Sequence, residues 1–419
     1  MKFSNLRQLF LASRLFFISV AGLLVATLLT ACQLVTVDFV FVANSSGSSA
    51  GSAGEISVFA VDAQSGAIRV AAPNVSSGGV GPVAMAVTSD YNNLYVANAP
   101  NANSGSLVHF TIAQTGVVTQ KDSVNMTSAP VSIAVNATGT YLYVVSGTTS
   151  ATLTEYALSS GTIGSIVSQV NLTIPGFGSD SVIPTGVNVL INNATNLSTT
   201  NGVYVTAYDA NAYNPGGAVT SSANPGWVYG FTVGSSGALS PASGSPYKAG
   251  VKPSALTSDP TNRFLYVTDF ASNELIGYTI QTNSALDFLL NGPFKTGNEP
   301  SAIQIDPRGL YIYITNSLDS TISAFAIQLS TGTPSIISNV TGNASNGTDT
   351  DPVAVVIDPG LGRYVYTANH IGDSVSGFGL TPNTGALAGL QASPYPTGAN
   401  PTAIVCVPHG DHAVQQVTP

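Results

Sequence analysis

The chain has 419 residues, only 7% of them charged, and a formal net charge of −9. So few charges, with abundant Gly, Ser, Thr and Asn, suit an exported all-β protein. The acidic balance excludes nucleic acid and anionic membrane surfaces as electrostatic partners.

The amino terminus is expected to be a leader. Lys2, Arg7 and Arg14 precede the apolar stretch Leu15 to Leu29, the layout of a secretory signal. The stretch ends in Leu29-Thr30-Ala31-Cys32, which resembles the lipobox of bacterial lipoproteins. That resemblance implies cleavage before Cys32 and acylation on it, which holds a protein at a membrane without a spanning helix. Gln33 follows the cysteine where an aspartate would resemble an inner-membrane retention signal, so outer-membrane attachment at a bacterial cell envelope is expected. The alternative is a plain signal peptide or single-span anchor with an incidental cysteine. Residues 1–31 are thus assigned to the signal, 32–37 to a lipidated tether, 38–408 to a repeat domain and 409–419 to a tail.

From residue 38 onward a phrase recurs at intervals of about fifty residues. It comprises a proline, an alternating apolar run, a turn, a second run ending near Tyr-Val-x-Asn, a loop, and a third run before a Thr-Gly or Ser-Gly turn. The opening prolines are Pro82, Pro130, Pro184, Pro253, Pro300, Pro352 and Pro401. Runs such as Ile303/Ile305 and Tyr311/Tyr313 alternate with period two and are rich in Val, Ile, Tyr and Phe, so they are predicted strands. Asp259-Pro260, Asp306-Pro307 and Asp358-Pro359 begin tight reversals, which gives those aspartates a structural reading.

The two ends of the pattern are out of step. Phe41 to Asn44 is a second run with no proline strand before it, whereas Pro401 to Val407 is a proline strand with nothing after it. Lending the last strand to the first unit closes a ring and removes both edges. The prediction is an all-β, seven-bladed β-propeller of four-stranded antiparallel blades, with Cys406 a buried apolar residue on the closing strand and no disulfide expected.

In such a ring the first strand of each blade lines the channel, and the residue before each proline lies on the face carrying the loops after Tyr-Val-x-Asn. Those residues are Gly81, Ala129, Ile183, Lys252, Glu299, Asp351 and Asn400. Lys252, Glu299, Asp351 and Asn400 come from successive blades and predict a polar rim, either a ligand pocket or a solvated edge. Tyr208, Asp209 and Asp269 follow or end second runs on the same face and join them as ligand-binding candidates. The insertion from Tyr208 to Gly217, continuing to Trp227, offers flat rings suited to carbohydrate or peptide. His370 is the best-placed histidine, and with Glu299 and Asp351 it completes the acid/base candidates. No zinc motif or phosphate-cradling loop is present in the sequence. No cofactor is called for, although the carboxylates leave room for a divalent cation.

Tyr95-Val96-Ala97-Asn98, Tyr266-Val267-Thr268-Asp269 and Tyr313-Ile314-Thr315-Asn316 resemble the YVTN and lactonase-type seven-bladed propellers, a family that includes 6-phosphogluconolactonase-like proteins. The resemblance covers nearly the whole chain after the leader. Lactonase-like members tend to carry Pro-Arg-His at the head of one blade and Asn-Glu after a Tyr-Val strand; neither occurs here. The leading expectation is therefore a lipid-anchored, monomeric binding or scaffolding module for carbohydrate or protein. The alternative is an exported lactonase acting on an uncharged sugar lactone.

Overall fold

The computed structural model describes residues 35–45, 52–174, 181–190, 202–210, 226–339 and 341–410. The proposed signal, Cys32, residues 211–225 of the blade-4 insertion and residues 411–419 lie outside them.

Strands run from Thr36 to Pro408 and form seven antiparallel sheets. Each sheet is one blade, and the inner strands touch one another in sequence around a closed ring. Blade 1 takes its second, third and fourth strands from Thr36–Asn44, Glu55–Asp62 and Ile68–Ser76, and its inner strand from Pro401–Pro408 at the other end of the chain. Thr36 already pairs with Asp62, so the ring begins within the segment assigned to the tether. Blades 2 and 3 begin at Pro82 and Pro130, blade 4 at Val182, and blades 5 to 7 at Pro253, Pro300 and Pro352. In blades 4 to 7 the outer strand is broken into two short pieces, both paired with the third strand.

The repeated phrase is explained by bonds between blades. Tyr95, Tyr204, Tyr266, Tyr313 and Tyr366 are fully buried in second strands. Each donates its hydroxyl to a carbonyl in the third-to-fourth-strand turn of the next blade: Gly161, Ser284, Gly332, Gly385 and Gly66, at 2.6–2.9 Å. The turn that ends one copy of the phrase, glycine in four of these five cases, thus receives the tyrosine of the preceding copy. A buried hydroxyl left unpaired would cost about 1–3 kcal/mol, so the phenol and the turn specify each other. Blade 1 has Phe41 at this position, and Tyr143 of blade 3 instead donates to Glu155 of its own blade at 3.2 Å. Burial pushes the Glu155 carboxyl up to about 7.

The residues at the end of the phrase hold the loops. Asn316 and Asn369 donate from Nδ2 to serines of their own third strands, Ser323 and Ser376, at 2.9 Å. On the opposite face the Asp-Pro aspartates cap turns: Asp306 Oδ1 accepts the amides of Leu310 and Tyr311, and Asp358 Oδ1 those of Arg363 and Tyr364. Their structural reading holds. Cys406 is buried among apolar neighbours on the closing strand.

Candidate functional site: the proline-face mouth of the channel

Every inner strand carries an irregularity at the same place. The proline pairs with the residue that closes the Tyr-Val-x-Asn run, and the ladder resumes two residues later, as in Pro300↔Asn316 followed by Ala302↔Thr315. All seven blades repeat this shift. The extra residue is a β-bulge, which bends the strand and re-aims a side chain. The seven bulge residues, Val83, Val131, Thr185, Ser254, Ser301, Val353 and Thr402, all line a central cavity of about 240 Å³.

The threonine of the phrase holds the bulge. Thr206, Thr268 and Thr315 bond through Oγ1 to the hydroxyls of Thr185, Ser254 and Ser301 at 2.8–2.9 Å. Three bulge hydroxyls also bridge to the next blade: Ser254 to Pro300 O at 2.5 Å, Ser301 to Pro352 O at 2.6 Å and Thr402 to Pro82 O at 2.7 Å. The remaining lining comes from the one or two residues that follow each bulge residue, and among the described residues no lining side chain is ionisable. Alternation alone does not reveal this ring, because the bulge breaks the period of two. The readable signal is a hydroxyl after proline matched to the threonine of Tyr-Val-Thr.

The predicted rim stands one residue outside that ring. Gly81, Glu299, Asp351 and Asn400 are all left-handed, with φ of 65°, 55°, 59° and 51°. Their carbonyls accept the amides of Ala99, Ser317, His370 and Ser45, the residues that follow the Tyr-Val-x-Asn runs. Gly, Asn and Asp suit that backbone, so three of the four have a local reason to be there. Glutamate does not. The Glu299 amide is fixed by Asn273 Oδ1 at 2.8 Å, which holds that backbone in place.

Lys252, Glu299, Asp351, Asn400 and His370 are half-buried around the mouth, and none lines the cavity itself. Lys252 Nζ lies 4.2 Å from the Phe270 ring centroid and 5.8 Å from that of Tyr208. Burial lowers the Lys252 pKa, and the negative charge of Glu299 on the next blade opposes that shift. His370 turns Nδ1 to Pro401 O at 3.1 Å, and its amide bonds the Asp351 carbonyl at 2.7 Å, so Asp351, His370 and the blade-1 proline form one local group.

Two expectations change. Tyr208 and Asp209 are not loop residues: blade 4 starts its inner strand before Pro184, so Ile183 pairs with Tyr208 and Val182 with Asp209. Both side chains are buried. Asp269 is fully buried, and its oxygens accept the amides of Val251, Lys252 and Ala271 at 2.8–3.2 Å, which commits that carboxylate to the loop. Among the described residues no group of three or more His, Cys, Asp or Glu is placed to hold a metal ion.

A family profile described as "Lactonase, 7-bladed beta-propeller" matches residues 53–177 and 248–414. The chain belongs to this lactonase propeller family. The unmatched interval covers blade 4, where the inner strand also departs from the common pattern. Solved structures agree on the fold. A periplasmic gluconolactonase from Pseudomonas aeruginosa is 16% identical, with a TM-score of 0.69 over 89% of this chain and 99% of that one. A candidate 6-phosphogluconolactonase from Bacteroides fragilis is 15% identical, with a TM-score of 0.68 over 89% and 98%. A protein from Lactobacillus plantarum is 17% identical, with a TM-score of 0.66 over 89% and 100%. No functionally curated protein sequence matches the chain.

Proposed function

We propose that this lactonase-family propeller hydrolyses an uncharged sugar lactone at the proline-face mouth of its channel. The observation that carries the reading is the chemistry of that mouth: a neutral floor of bulge hydroxyls beneath ionisable side chains on successive blades. Membership of the lactonase family and the fold likeness to a periplasmic gluconolactonase support it over a purely scaffolding role.

A sugar lactone presents hydroxyls to the floor and one carbonyl to the rim. Glu299 or Asp351 takes a proton from water as its oxygen adds to the carbonyl carbon, with His370 as the alternative base. The Lys252 ammonium is suited to the oxyanion that forms. The ring C–O bond then breaks, and the proton passes to the departing alkoxide to leave a hydroxy acid. A phosphorylated sugar is disfavoured, because among the described residues no ammonium or guanidinium lines the cavity, and the Lys252 ammonium at the rim is assigned to the oxyanion.

The test is turnover of a panel of sugar lactones, gluconolactone included, with and without Ca²⁺ or Mg²⁺, since both carboxylates are also hard oxygen donors. Glu299→Gln or Asp351→Asn should lower kcat by about 10²–10⁴ while the protein stays folded. Full activity in both variants would remove the acid/base assignment. Absence of turnover on every lactone would favour the second reading, a ligand-binding module, which is supported by a cavity lined only by non-ionisable side chains.

The same proposal includes envelope attachment through an acylated Cys32, which rests on the sequence of the leader. Cys32→Ser should release the protein from membranes and block cleavage before residue 32. Unchanged membrane association would defeat it.

A further inference from the structure

Blades 4, 5 and 7 contain the same outer hairpin, aligned without a gap from Ala238-Leu239, Ala285-Leu286 and Ala386-Leu387 to Pro253, Pro300 and Pro401. In blade 4 the amide of third-strand Gly230 donates to Ser245 Oγ, and in blade 7 the amide of Gly377 donates to Ser393 Oγ, both at 2.9 Å. Blade 5 keeps the third-strand glycine, Gly277, but has Gly292 in place of the serine. The hydroxyl that caps the amide in its sister blades is therefore missing. A cavity of about 310 Å³ opens there, bordered by Gly277, Gly292 and Pro293.

The walls of this cavity combine three chemistries. Phe288 presents an apolar ring that is 59% exposed and rests against Tyr278 at 5.0 Å between centroids. The sister blades have Pro241 and Gly389 at that position, so the aromatic wall belongs to blade 5 alone among the three. Lys248 and Glu274 contribute opposite charges, and Glu274 Oε1 is held by Lys295 at 2.8 Å. Ser272 adds a hydroxyl.

We infer that this blade-5 cavity is a second ligand site, separate from the channel, that takes a neutral pyranose sugar. Opposite charges in one small cavity disfavour an ion of either sign, while a carboxylate, an ammonium, a hydroxyl and a backbone amide together match a ligand that both donates and accepts. The apolar face of a pyranose ring packs on Phe288, as flat aromatic rings allow at small entropic cost. The volume sits at the low end of the range for small-molecule pockets, which sets the ligand at about one sugar ring.

Repair of the cavity provides the experiment. Gly292→Ser restores the residue of the sister blades. An added Cβ there meets the Phe294 ring edge at 3.2 Å and no backbone atom closer than 3.7 Å, so the change is sterically accessible. The full chain is titrated by calorimetry with D-glucose, D-galactose and N-acetyl-D-glucosamine. Fluorescence of Trp227, the sole tryptophan, over which Lys248 Nζ sits at 3.7 Å, supplies a second readout. At least one sugar should bind saturably, and both Gly292→Ser and Phe288→Ala should weaken it by about tenfold or more, equivalent to about 1.4 kcal/mol. Phe288 is exposed, so its truncation keeps the test open should the serine variant misfold. Failure of all three sugars to bind, or equal binding by wild type and a folded variant, overturns the inference. Lactone turnover should be the same in wild type and both variants, which keeps this result separable from the channel assay.

Discussion

Blades 2 and 3 and blades 5 to 7 use the same tyrosine phrase but face the channel differently. In blades 2 and 3 the bulge residues are Val83 and Val131, preceded around the proline by Gly81 and Ala129. In blades 5 and 6 they are Ser254 and Ser301, each bonded to the proline carbonyl of the next blade, beneath Lys252 and Glu299; blade 7 keeps a valine, Val353, beneath Asp351. One arc of the mouth is apolar and uncharged, and the other is polar and ionisable. Yet the interior is built alike on both sides, since Tyr95 of blade 2 and Tyr266 of blade 5 make the same bond to the next blade at 2.6 Å. The scaffold therefore sets the position of the bulge without dictating its chemistry, and two positions per blade, flanking the proline, carry what distinguishes the arcs. A substrate with a carbonyl and hydroxyls on one side and an apolar ring face on the other has a defined orientation in such a mouth.

The largest expected effect comes from removing the strand that joins the arcs. Thr402 links blade 1 to Pro82 of blade 2, and Ala403, Ile404, Cys406 and Val407 are buried around it. Burial of a large apolar side chain contributes about 1.5–3 kcal/mol, so losing this set approaches the 5–15 kcal/mol that holds a typical domain together. Truncation before Pro401 should abolish the cooperative melting transition seen by calorimetry. A retained wild-type transition would mean that the arcs stand without closure.

The blade 1–7 seam should also make stability depend on pH. Asp38 and Asp358 are fully buried and face each other across it, with Asp38 Oδ1 accepting the Gly360 amide at 3.2 Å. Burial, reinforced by the charge of Asp358, pushes Asp38 up to about 8, and burial raises Asp358 as well. The pair therefore binds protons more tightly folded than unfolded. Its stabilisation is complete below the ordinary carboxylate value of 3.8 and is lost as pH rises towards about 8. The melting temperature of Asp38→Asn relative to wild type should rise across that window. A constant difference between the two would remove the seam from the pH profile.

Much of this architecture is legible in the sequence, and what is not has physical causes. The orphan strand Pro401 to Val407 and the headless run Phe41 to Asn44 reveal closure because strand patterns are local. The Asp-Pro turns are equally local. The role of the tyrosine hydroxyl is hidden, since Tyr266 finds its acceptor at Gly332 in another blade. The bulge ring is hidden because one extra residue cancels the alternation on which strand reading depends. Tyr208 and Asp209 are misplaced because blade 4 alone begins its inner strand ahead of its proline. The Asp38–Asp358 pair is invisible to any local reading, since it joins the two ends of the chain.

The claim that both arcs share one scaffold is tested at the tyrosines. Tyr95→Phe and Tyr266→Phe each leave a buried glycine carbonyl without its phenol, at Gly161 and Gly332. Each should cost about 1–3 kcal/mol in denaturant unfolding, with similar values in the two arcs. A large disparity would show that the apolar arc is held by other means.

The smallest effect is the most discriminating for the mouth. Ser301→Ala removes one hydroxyl that bonds both Thr315 Oγ1 and Pro352 O, and the site stays half-buried at the cavity wall. With water able to reach the freed groups, the loss in stability should be about 0.5–1.5 kcal/mol. Val131→Ser, in the opposite arc, adds a hydroxyl where blade 3 has Val145 instead of the phrase's threonine to receive it. It should change stability no more than Ser301→Ala does. If the polar arc orients substrate, Ser301→Ala raises KM for a sugar lactone, whereas Val131→Ser leaves kcat/KM near the wild-type value. Equal losses in the two variants would mean that the arcs do not differ in function, and the asymmetry of the mouth would then be a matter of packing between blades.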